Sequence, residues 1–494
     1  FSVAVWIAKL AVTNITFAQF RSSSSELNSI WEMCRYTVEA APLDLYTDSN
    51  ARQRSEGCVA DDVTAMLSQY AVSGQLALQL FHTQKLLRKS VDARLDWAVL
   101  PIIAMYEHAM HSGDLGTAAA AFDTLLTNHS HLQSISPHLH LVQNQSTLVD
   151  WPNSMTDGFV RTNTSTIASA WVYYGVTTLA KIATLLGYSQ IATKLQTTAQ
   201  QVSTAMNRLQ WNSGKGAFCD GLCSDTQHTA FHSTMYALAF GAVAEPNKQL
   251  AWQFLKQQID AAGGFPCGSY PAQFAVVALF SRASDSGKAA VEALTSVGEN
   301  SWMSMLKQGA TMTMEMWNSN EKPNLTFSHP WSSSPAYLVA WYLFGIRALA
   351  PGFAEVSISP QVGDLRHGTY KMRTIRGPIF VAFEQTENVT ATGLRQKCTR
   401  IAVSTFSLVT SLPASTTAAV DVPLPSFALE PAAAVKQQTV LKIDGLTIDL
   451  NSANLTRTDV NIDKKNRRVR ITGLGPGGVH MLELRQSRTV PEFC

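Results

Sequence analysis

The stretch Gly345-Ile-Arg-Ala-Leu-Ala-Pro-Gly-Phe-Ala-Glu-Val-Ser-Ile-Ser359 separates two different sequence patterns. Before it, from about residue 26 to 348, apolar residues recur mostly at helical spacing, which predicts a series of amphipathic helices. After it, short runs of alternating polar and apolar residues are broken by Gly, Pro and Asn, as is typical of strands joined by turns. The sequence therefore predicts a helical region followed by a β region.

The helical region is predicted to begin at Ser23-Ser-Ser-Glu26, a capping-box pattern followed by Leu27, Ile30, Trp31 and Cys34 on one helix face. Apolar spacing predicts about twelve helices, over residues 26–40, 61–73, 75–87, 91–111, 114–128, 164–186, 188–208, 229–243, 246–260, 270–282, 286–296 and 334–348. This number of helices followed by a β module suggests a helical toroid with a β domain docked against it.

The β region contains alternating runs that begin at Val356, Ile379, Ile401, Thr439 and Val469. They predict an antiparallel β-sandwich over residues 349–494. Residues 1–22 are predicted to be the trailing strand of an upstream β region and a linker, and residues 23–348 a helical domain. Because no starting Met or basic leader precedes the apolar N-terminus, we expect the chain to be part of a longer precursor. An oligomer is a separate possibility that the sequence leaves open.

Composition narrows the class of protein. Of 494 residues, 46% are hydrophobic and 15% are charged, with a net charge of +2. This hydrophobic fraction allows a large core. A nucleic-acid-binding protein needs clustered Lys and Arg, and a net charge of +2 argues against that class. No run reaches the roughly 18 apolar residues of a membrane span. We expect no nucleic-acid partner, no membrane span and no cofactor.

Two features point to an oxidising, extracellular environment. Cys219-Asp-Gly-Leu-Cys223 is close enough for a small disulfide loop, and no second Cys or His pair follows at a spacing that would make a zinc site, so we predict no metal. A Ser- and Thr-rich chain yields some sequons by chance, but seven of them predict a secreted glycoprotein carrying N-linked glycans. The sequons are Asn14, Asn128, Asn144, Asn163, Asn324, Asn388 and Asn454.

Two groups of polar residues stand out. The first acidic cluster (residues 46–62) contains Asp48, Arg52 and Asp61, and the second (residues 309–331) contains Glu315 and His329. Carboxylates among Arg, Trp and His are typical of sugar-cleaving sites, because acids move protons and flat aromatic faces hold the ring. The alternative without a catalytic role is a solvated salt-bridge network.

Both clusters fall in loops or at helix ends. In an inward-outward helical barrel the first and last helix pairs are neighbours, so these loops could meet at one mouth. We therefore predict that Asp48 and Glu315 lie on opposite sides of a single bound monosaccharide.

Several motifs occur in order along residues 24–380: Asp48-Ser-Asn-x-Arg52-x-Arg54, Leu148-Val-Asp150-Trp151-Pro, Tyr270-Pro-Ala-Gln-Phe, Gly298-Glu-x-Ser-Trp302, the stretch from Gln308 to Tyr337, and Pro360-Gln-x-Gly-Asp364-Leu. With them, the chain resembles the α-L-rhamnosidases of glycoside hydrolase family 78. The resemblance implies an (α/α)6 barrel with flanking β domains. It also implies hydrolysis of a rhamnose-containing glycan or glycoside with inversion at the anomeric carbon.

The resemblance also assigns roles to residues. Glu315 looks like the general base that activates water, and Asp48, Arg52 and Asp61 look like rhamnose-binding residues. The walls of the sugar pocket would be Trp97, Trp151, Trp317 and His329. Each of these aromatic residues could instead be an ordinary core residue.

The chain departs from the family at the general acid. The family usually places a Glu directly after the arginine matched by Arg52, and this position is Gln53 here. An amide cannot deliver a proton. Glu56 is the candidate acid if the loop carries a one-residue insertion, and it would need a raised pKa.

Three functions follow from these patterns. The first is a secreted inverting glycosidase that removes terminal α-L-rhamnose or a similar deoxy sugar. The second, motivated by Gln53, is a catalytically weakened barrel kept as a carbohydrate-binding or structural glycoprotein. The third is an inverting hydrolase of another sugar, such as an α-glucosidase or a trehalase.

Overall fold

The computed structural model describes most of the chain. The described ranges are residues 18–42, 45–54, 58–88, 94–127, 134–282, 287–322, 324–392, 398–424, 436–451, 459–463 and 468–492. Across them, helices precede a C-terminal region of strands, as predicted. None of the helices in these ranges has the length and apolar character needed to cross a membrane.

Thirteen α-helices occur in the described residues. They are α1 (Ser25–Ala40), α2 (Val59–Ser73), α3 (Ala77–Arg88), α4 (Leu95–Ser112), α5 (Leu115–Thr127), α6 (Thr166–Leu185), α7 (Ser189–Leu209), α8 (Phe231–Ala239), α9 (Glu245–Ala262), α10 (Ala272–Phe280), α11 (Lys288–Leu294), α12 (Trp302–Lys307) and α13 (Pro335–Leu338).

The first helix starts one residue later than the capping-box pattern predicts. Ser24 is the N-cap, and its side chain accepts a hydrogen bond from the backbone N–H of Leu27 at 3.1 Å. The predicted apolar face is buried, including Ile30, Trp31 and Cys34. Burial of this face against the rest of the barrel supplies most of the stability of the helix.

The last predicted helix, over residues 334–348, is wrong in its second half. Helix α13 continues as a π-helical turn over Val339–Leu343, and Ile346–Ala348 form a strand. Gly345 separates the two elements with a φ of 66°, and a Cβ there would lie 2.2 Å from the carbonyl oxygen of Ser359. Only glycine tolerates both the left-handed backbone and this close approach.

Helix α12 is absent from the prediction. It has six residues, with Ser301 as N-cap accepting from the backbone N–H of Ser304. Fewer than two turns give too few apolar residues for a 3.6-residue period to be detected.

Fourteen strands occur in the described residues. They are β1 (Gln19–Ser22), β2 (Trp211–Asn212), β3 (Ala217–Phe218), β4 (Ile346–Ala348), β5 (Glu355–Ile358), β6 (His367–Thr374), β7 (Gly377–Thr392), β8 (Cys398–Leu412), β9 (Thr417–Pro423), β10 (Lys436–Ile443), β11 (Leu446–Asp449), β12 (Val460–Asp463), β13 (Arg468–Leu474) and β14 (Gly478–Glu492). The five predicted runs fall in β5, β7, β8, β10 and β13.

The strands form two large sheets and a hairpin of β2 and β3. The seven-stranded sheet has the order β1-β6-β7-β8-β14-β10-β11, and all of its neighbours are antiparallel. The five-stranded sheet has the order β12-β13-β9-β5-β4, in which β5 and β9 pair in parallel.

Strand β1 belongs to the same sheet as the C-terminal strands. It pairs with β6, with Gln19 opposite Lys371 and Ser22 opposite Gly368. Residues 1–17 lie outside the described part of the chain, so the upstream β region stays a prediction, as do the domain boundaries.

An aromatic cluster joins the helices to this sheet. The ring of Phe20 in β1 lies 5.5 Å from that of Trp31 in α1 and 5.9 Å from that of Phe344. Tyr370 in β6 packs edge-on against Trp31 and donates a hydrogen bond to the carbonyl oxygen of Ala71 in α2. Buried aromatic contacts of this kind fix the first two helices against the sheet.

Candidate active site

The loop that carries the second acidic cluster is attached to the first two helices. The backbone N–H of Thr313 donates to the hydroxyl of Thr37 in α1 at 2.8 Å. The hydroxyl of Ser68 in α2 donates to the carbonyl oxygen of Ser333 at 3.2 Å. These contacts bring together residues more than 260 positions apart in the sequence.

The same loop folds back on itself. The backbone N–H of Glu315 donates to the carbonyl oxygen of Thr326 at 2.9 Å, and that of His329 donates to Thr313 at 2.7 Å. These two hydrogen bonds place Glu315, Thr326 and His329 side by side.

The Glu315 carboxylate is surrounded by hydrogen-bond donors. The side chain is only 3% exposed. Oε1 accepts from Nζ of Lys322 at 2.5 Å and from the indole N–H of Trp151 at 3.3 Å. Oε2 accepts from the backbone N–H and the hydroxyl of Thr326 at 3.1 and 3.2 Å, and lies 3.1 Å from a guanidinium nitrogen of Arg52. These five contacts occupy the lone-pair directions of both oxygens.

The donors keep Glu315 ionised. Burial alone would raise its pKa, but the Lys322 ammonium, the charge of His329, the Thr326 amide and the Arg52 guanidinium lower the pKa to about 2. Charge-assisted hydrogen bonds of this kind favour the carboxylate over the acid. Glu315 is therefore negatively charged at neutral pH.

Asp48 is buried and held by Arg54. One carboxylate oxygen accepts from the backbone N–H of Arg54 at 2.8 Å, and the other from its Nε at 2.8 Å and a terminal nitrogen at 2.6 Å. Hydrogen bonding to Asp48 raises the pKa of Arg54. Arg52 lies 3.9 Å from Asp48 with one nitrogen and 3.1 Å from Glu315 with another. A single guanidinium thus links the two acidic clusters.

Asp61 joins the site through His329. Asp61 lies in the first turn of α2, where the helix dipole favours a carboxylate. Its Oδ1 lies 2.6 Å from Nε2 of His329, and Nδ1 of His329 lies 2.6 Å from the hydroxyl of Thr326. The Thr326 hydroxyl therefore lies between Nδ1 of His329 and Oε2 of Glu315, and Nδ1 itself lies 4.0 Å from Glu315.

Trp151 lies at the edge of the site. It is 38% exposed, and the Lys322 ammonium lies 5.5 Å from its ring centroid. The buried carboxylate of Asp150 accepts a hydrogen bond from the backbone N–H of Trp151 at 2.7 Å. It also accepts from His232 at 2.6 Å and from the backbone N–H of Gly268 at 2.8 Å. An exposed indole face fixed in this way is available to a sugar ring.

The other two predicted pocket tryptophans are buried. Trp97 is 6% exposed, and the guanidinium of Arg94 lies 3.5 Å from its ring centroid. Trp317 is fully buried: its indole donates to the carbonyl oxygen of Cys267 at 2.7 Å, and its ring stacks on Phe265. Both the ring and the N–H of Trp317 face the core, and its role as a wall of the sugar pocket stays a prediction.

The candidate general acid is not placed by the structure. Glu56 lies outside the described residues, in the gap 55–57. Gln53 is exposed, with a positive φ of 54°. Arg52, beside it, donates from a guanidinium nitrogen to the carbonyl oxygen of Asn324 in the second cluster.

The sequence did not predict the contacts that four residues make in the site. These residues are Arg54, Lys322, Thr326 and Trp331. The indole of Trp331 donates to the backbone carbonyl of Glu315 at 2.9 Å and stacks on Tyr270. All four residues belong to the two acidic clusters, so their positions in those loops were a signal. Their partners depend on how each loop folds back.

The residues predicted for modification are placed as follows. Cys219 and Cys223 form a disulfide, and the buried Cys34, Cys58 and Cys267 are free thiols. Of the predicted glycosylation sites, Asn14, Asn128 and Asn454 lie outside the described residues, Asn388 lies in β7, and Asn144, Asn163 and Asn324 are exposed. The described residues contain no group of His, Cys, Asp and Glu that could hold a metal ion.

Solved structures share this architecture. The α-L-rhamnosidase from Dictyoglumus thermophilum superposes with a TM-score of 0.72 at 17% identity, over 95% of this chain and 50% of that one. A Streptomyces avermitilis α-L-rhamnosidase complexed with L-rhamnose gives 0.69 at 19% identity, over 94% and 42%. A family 78 rhamnosidase of Bacillus sp. GL1 gives 0.62 at 21% identity, over 74% and 40%. The chain spans half or less of each of these proteins.

At these identities the structures show the fold alone. No curated protein matches the chain significantly in sequence. The model of the bacterial α-L-rhamnosidase 6-hairpin glycosidase domain matches residues 16–342, which include both acidic clusters. The predicted six-hairpin barrel followed by a β-sandwich and the predicted resemblance are both confirmed. The chain belongs to the bacterial α-L-rhamnosidase six-hairpin glycosidase family.

Proposed function

We propose that this protein is a glycosidase that removes terminal α-L-rhamnose, or a similar deoxy sugar, from glycans or glycosides with inversion. One observation carries the proposal: Arg52 links a buried carboxylate of the first cluster, Asp48, to the ionised Glu315 of the second. Glycoside hydrolysis with inversion needs a carboxylate base beside the bound sugar, and this contact places Glu315 next to a carboxylate that can accept sugar hydroxyls.

In this mechanism Glu315 accepts a proton from the water that attacks the anomeric carbon. Asp48, Arg52 and Asp61 supply acceptors and a donor for sugar hydroxyls, and the exposed face of Trp151 covers the apolar side of the ring. The attacking water needs a free lone pair on Glu315. Lys322 must therefore release Oε1 when substrate binds, since its ammonium occupies that oxygen at 2.5 Å.

The test is hydrolysis of 4-nitrophenyl α-L-rhamnoside, with the released sugar followed by NMR. We expect β-L-rhamnose as the first product, because the water attacks the face opposite the leaving group. First release of the α anomer would contradict inversion. A matched panel of aryl glycosides tests the alternative of another sugar, which would be supported by release from a glucoside but not from the rhamnoside.

A second candidate function is carbohydrate binding without turnover. Two observations favour it: Gln53 stands where the family usually has its acid, and Glu315 already has five donors. Calorimetric titration with L-rhamnose distinguishes this function. Binding with no hydrolysis, unrestored by Gln53→Glu, would support it.

We also propose that the protein is secreted and N-glycosylated. The proposal is supported by the Cys219–Cys223 disulfide and by the exposure of Asn144, Asn163 and Asn324. Expression in a eukaryotic host behind a secretion signal of that host should give a protein that loses mass on endoglycosidase treatment. An unchanged mass would contradict glycosylation.

A further inference from the structure

Glu321 is a carboxyl group on the loop of the site that the proposed mechanism does not use. It lies on the same loop as Glu315, and its neighbour Lys322 both contacts Glu315 at 2.5 Å and lies 5.5 Å from the Trp151 ring centroid. Glu321 is half-buried, and its backbone N–H donates to Asn318. Its Oε2 is buried without a hydrogen-bond partner.

Asp48, Asp61, Asp150 and Glu315 each have hydrogen-bond partners. Asp48 is held by Arg54 through both oxygens, and Oδ1 of Asp61 lies 2.6 Å from Nε2 of His329. Asp150 accepts from three N–H groups inside the core. Glu315 has five donors. A carboxylate that accepts hydrogen bonds from N–H groups on both oxygens has no proton to deliver.

The surroundings of Glu321 favour its protonated form. Burial raises its pKa, and the negative charge of Asp150 raises it further. The ammonium of Lys322, the next residue in the chain, contacts Glu315 at 2.5 Å. A carboxyl group in a poorly solvated position near a second carboxylate is the usual arrangement of a general acid.

We infer that Glu321 is the proton donor of this site, acting where Gln53 cannot. The inference rests on the proposed glycosidase function. As the bond from the anomeric carbon to the glycosidic oxygen breaks, the Glu321 proton moves to that oxygen and leaves a carboxylate. The water oxygen bonds to the anomeric carbon, and the water proton moves to Glu315. Release of that proton to solvent and reprotonation of Glu321 restore the site.

The experiment compares Glu321→Gln with the wild type on two rhamnosides. Methyl α-L-rhamnoside has a poor leaving group that needs a proton, whereas 2,4-dinitrophenyl α-L-rhamnoside does not. We expect kcat/KM to fall ~10²- to 10³-fold on the methyl glycoside but less than about tenfold on the dinitrophenyl glycoside, since general acid catalysis contributes in that range. The basic limb of the pH profile should also disappear. Glu292→Gln, on the surface of α11, is the matched control.

Two results would overturn the inference in an active enzyme. One is equal loss on both substrates, which marks a structural role. The other is the leaving-group-dependent loss in Glu56→Gln but not in Glu321→Gln, which assigns the acid to Glu56. A wild type that cleaves no glycoside defeats the proposed function instead.

A measurement independent of turnover tests the inference separately. Titration of ¹³C-labelled glutamate carboxyl groups, with Glu321→Gln to assign the resonance, should give Glu321 a pKa above the ordinary 4.5. A value at or below 4.5 would overturn the inference whether or not the protein is active.

Discussion

Nζ of Lys322 lies 2.5 Å from Oε1 of Glu315, the carboxylate proposed to activate water. The same contact that keeps this carboxylate ionised also weakens it as a base, because a group with a pKa of about 2 takes up a proton poorly. Lys322 therefore sets both the charge of Glu315 and its readiness to accept a proton.

Replacing Lys322 should move the acid limb of the activity profile. In Lys322→Met the ammonium is lost and burial then raises the pKa of Glu315 above about 2, so the loss of kcat/KM on acidification should begin at a higher pH. The measurement is the pH dependence of kcat/KM for an aryl rhamnoside. The matched control is Lys248→Met, a surface lysine of α9 paired with Glu245. An unmoved acid limb would show that Lys322 does not control Glu315.

Removing the Glu315 carboxylate should abolish the proposed base. We expect Glu315→Gln to lower kcat by ~10²- to 10⁴-fold, the usual contribution of general base catalysis. Steady-state kinetics on the rhamnoside provide the measurement, with circular dichroism to confirm folding. Activity within about tenfold of the wild type would remove Glu315 from the base role.

The buried pair of Asp61 and His329 should contribute to stability as well as to the site. Both side chains are almost fully buried and 2.6 Å apart. Asp61→Asn removes the buried carboxylate and leaves His329 without this partner, which should cost about 3–5 kcal/mol. Urea unfolding at pH 7 measures the change. Asp260→Asn, which breaks an exposed pair with Lys256, should cost less than about 1 kcal/mol. Equal losses in the two variants would contradict a buried-pair contribution.

The helices and strands follow closely from local pattern, because a 3.6-residue or 2-residue apolar period records which face is buried. The errors occur where contact with a residue distant in the sequence determines the local structure. The π-helical turn after α13 and the strand at Ile346 depend on the close approach of Gly345 to Ser359, a residue fourteen positions away. No period within residues 334–348 contains that information.

The sequence predicted that the two acidic clusters lie close together, but it did not predict which side chains are in contact. That Asp48 and Glu315 share one site follows from barrel topology, since the first and last helix pairs are neighbours. The contacts of Lys322 and Thr326 depend on the loop folding back on itself, which leaves no periodic signal. The burial of Trp317 could not be predicted from the sequence either. The residues around a tryptophan do not show whether its ring faces a sugar or packs on Phe265.

The depressed pKa of Glu315 also makes a prediction about folding stability. Its pKa falls from the ordinary 4.5, taken for the unfolded chain, to about 2 in the folded protein. A lowered folded-state pKa contributes stability that is fully present above pH 4.5. That stability is lost as the pH falls toward 2, because the unfolded chain binds the proton first. The shift corresponds to about 3 kcal/mol at neutral pH.

Glu315→Gln isolates this contribution, because the variant has no carboxyl group to titrate at that position. The free energy of unfolding of the wild type should fall by about 3 kcal/mol more than that of the variant between pH 6 and pH 2. Urea titrations at several pH values measure both curves. Parallel curves would mean that Glu315 has the same pKa in the folded and unfolded chains, and that its five donors do not stabilise the carboxylate over the acid.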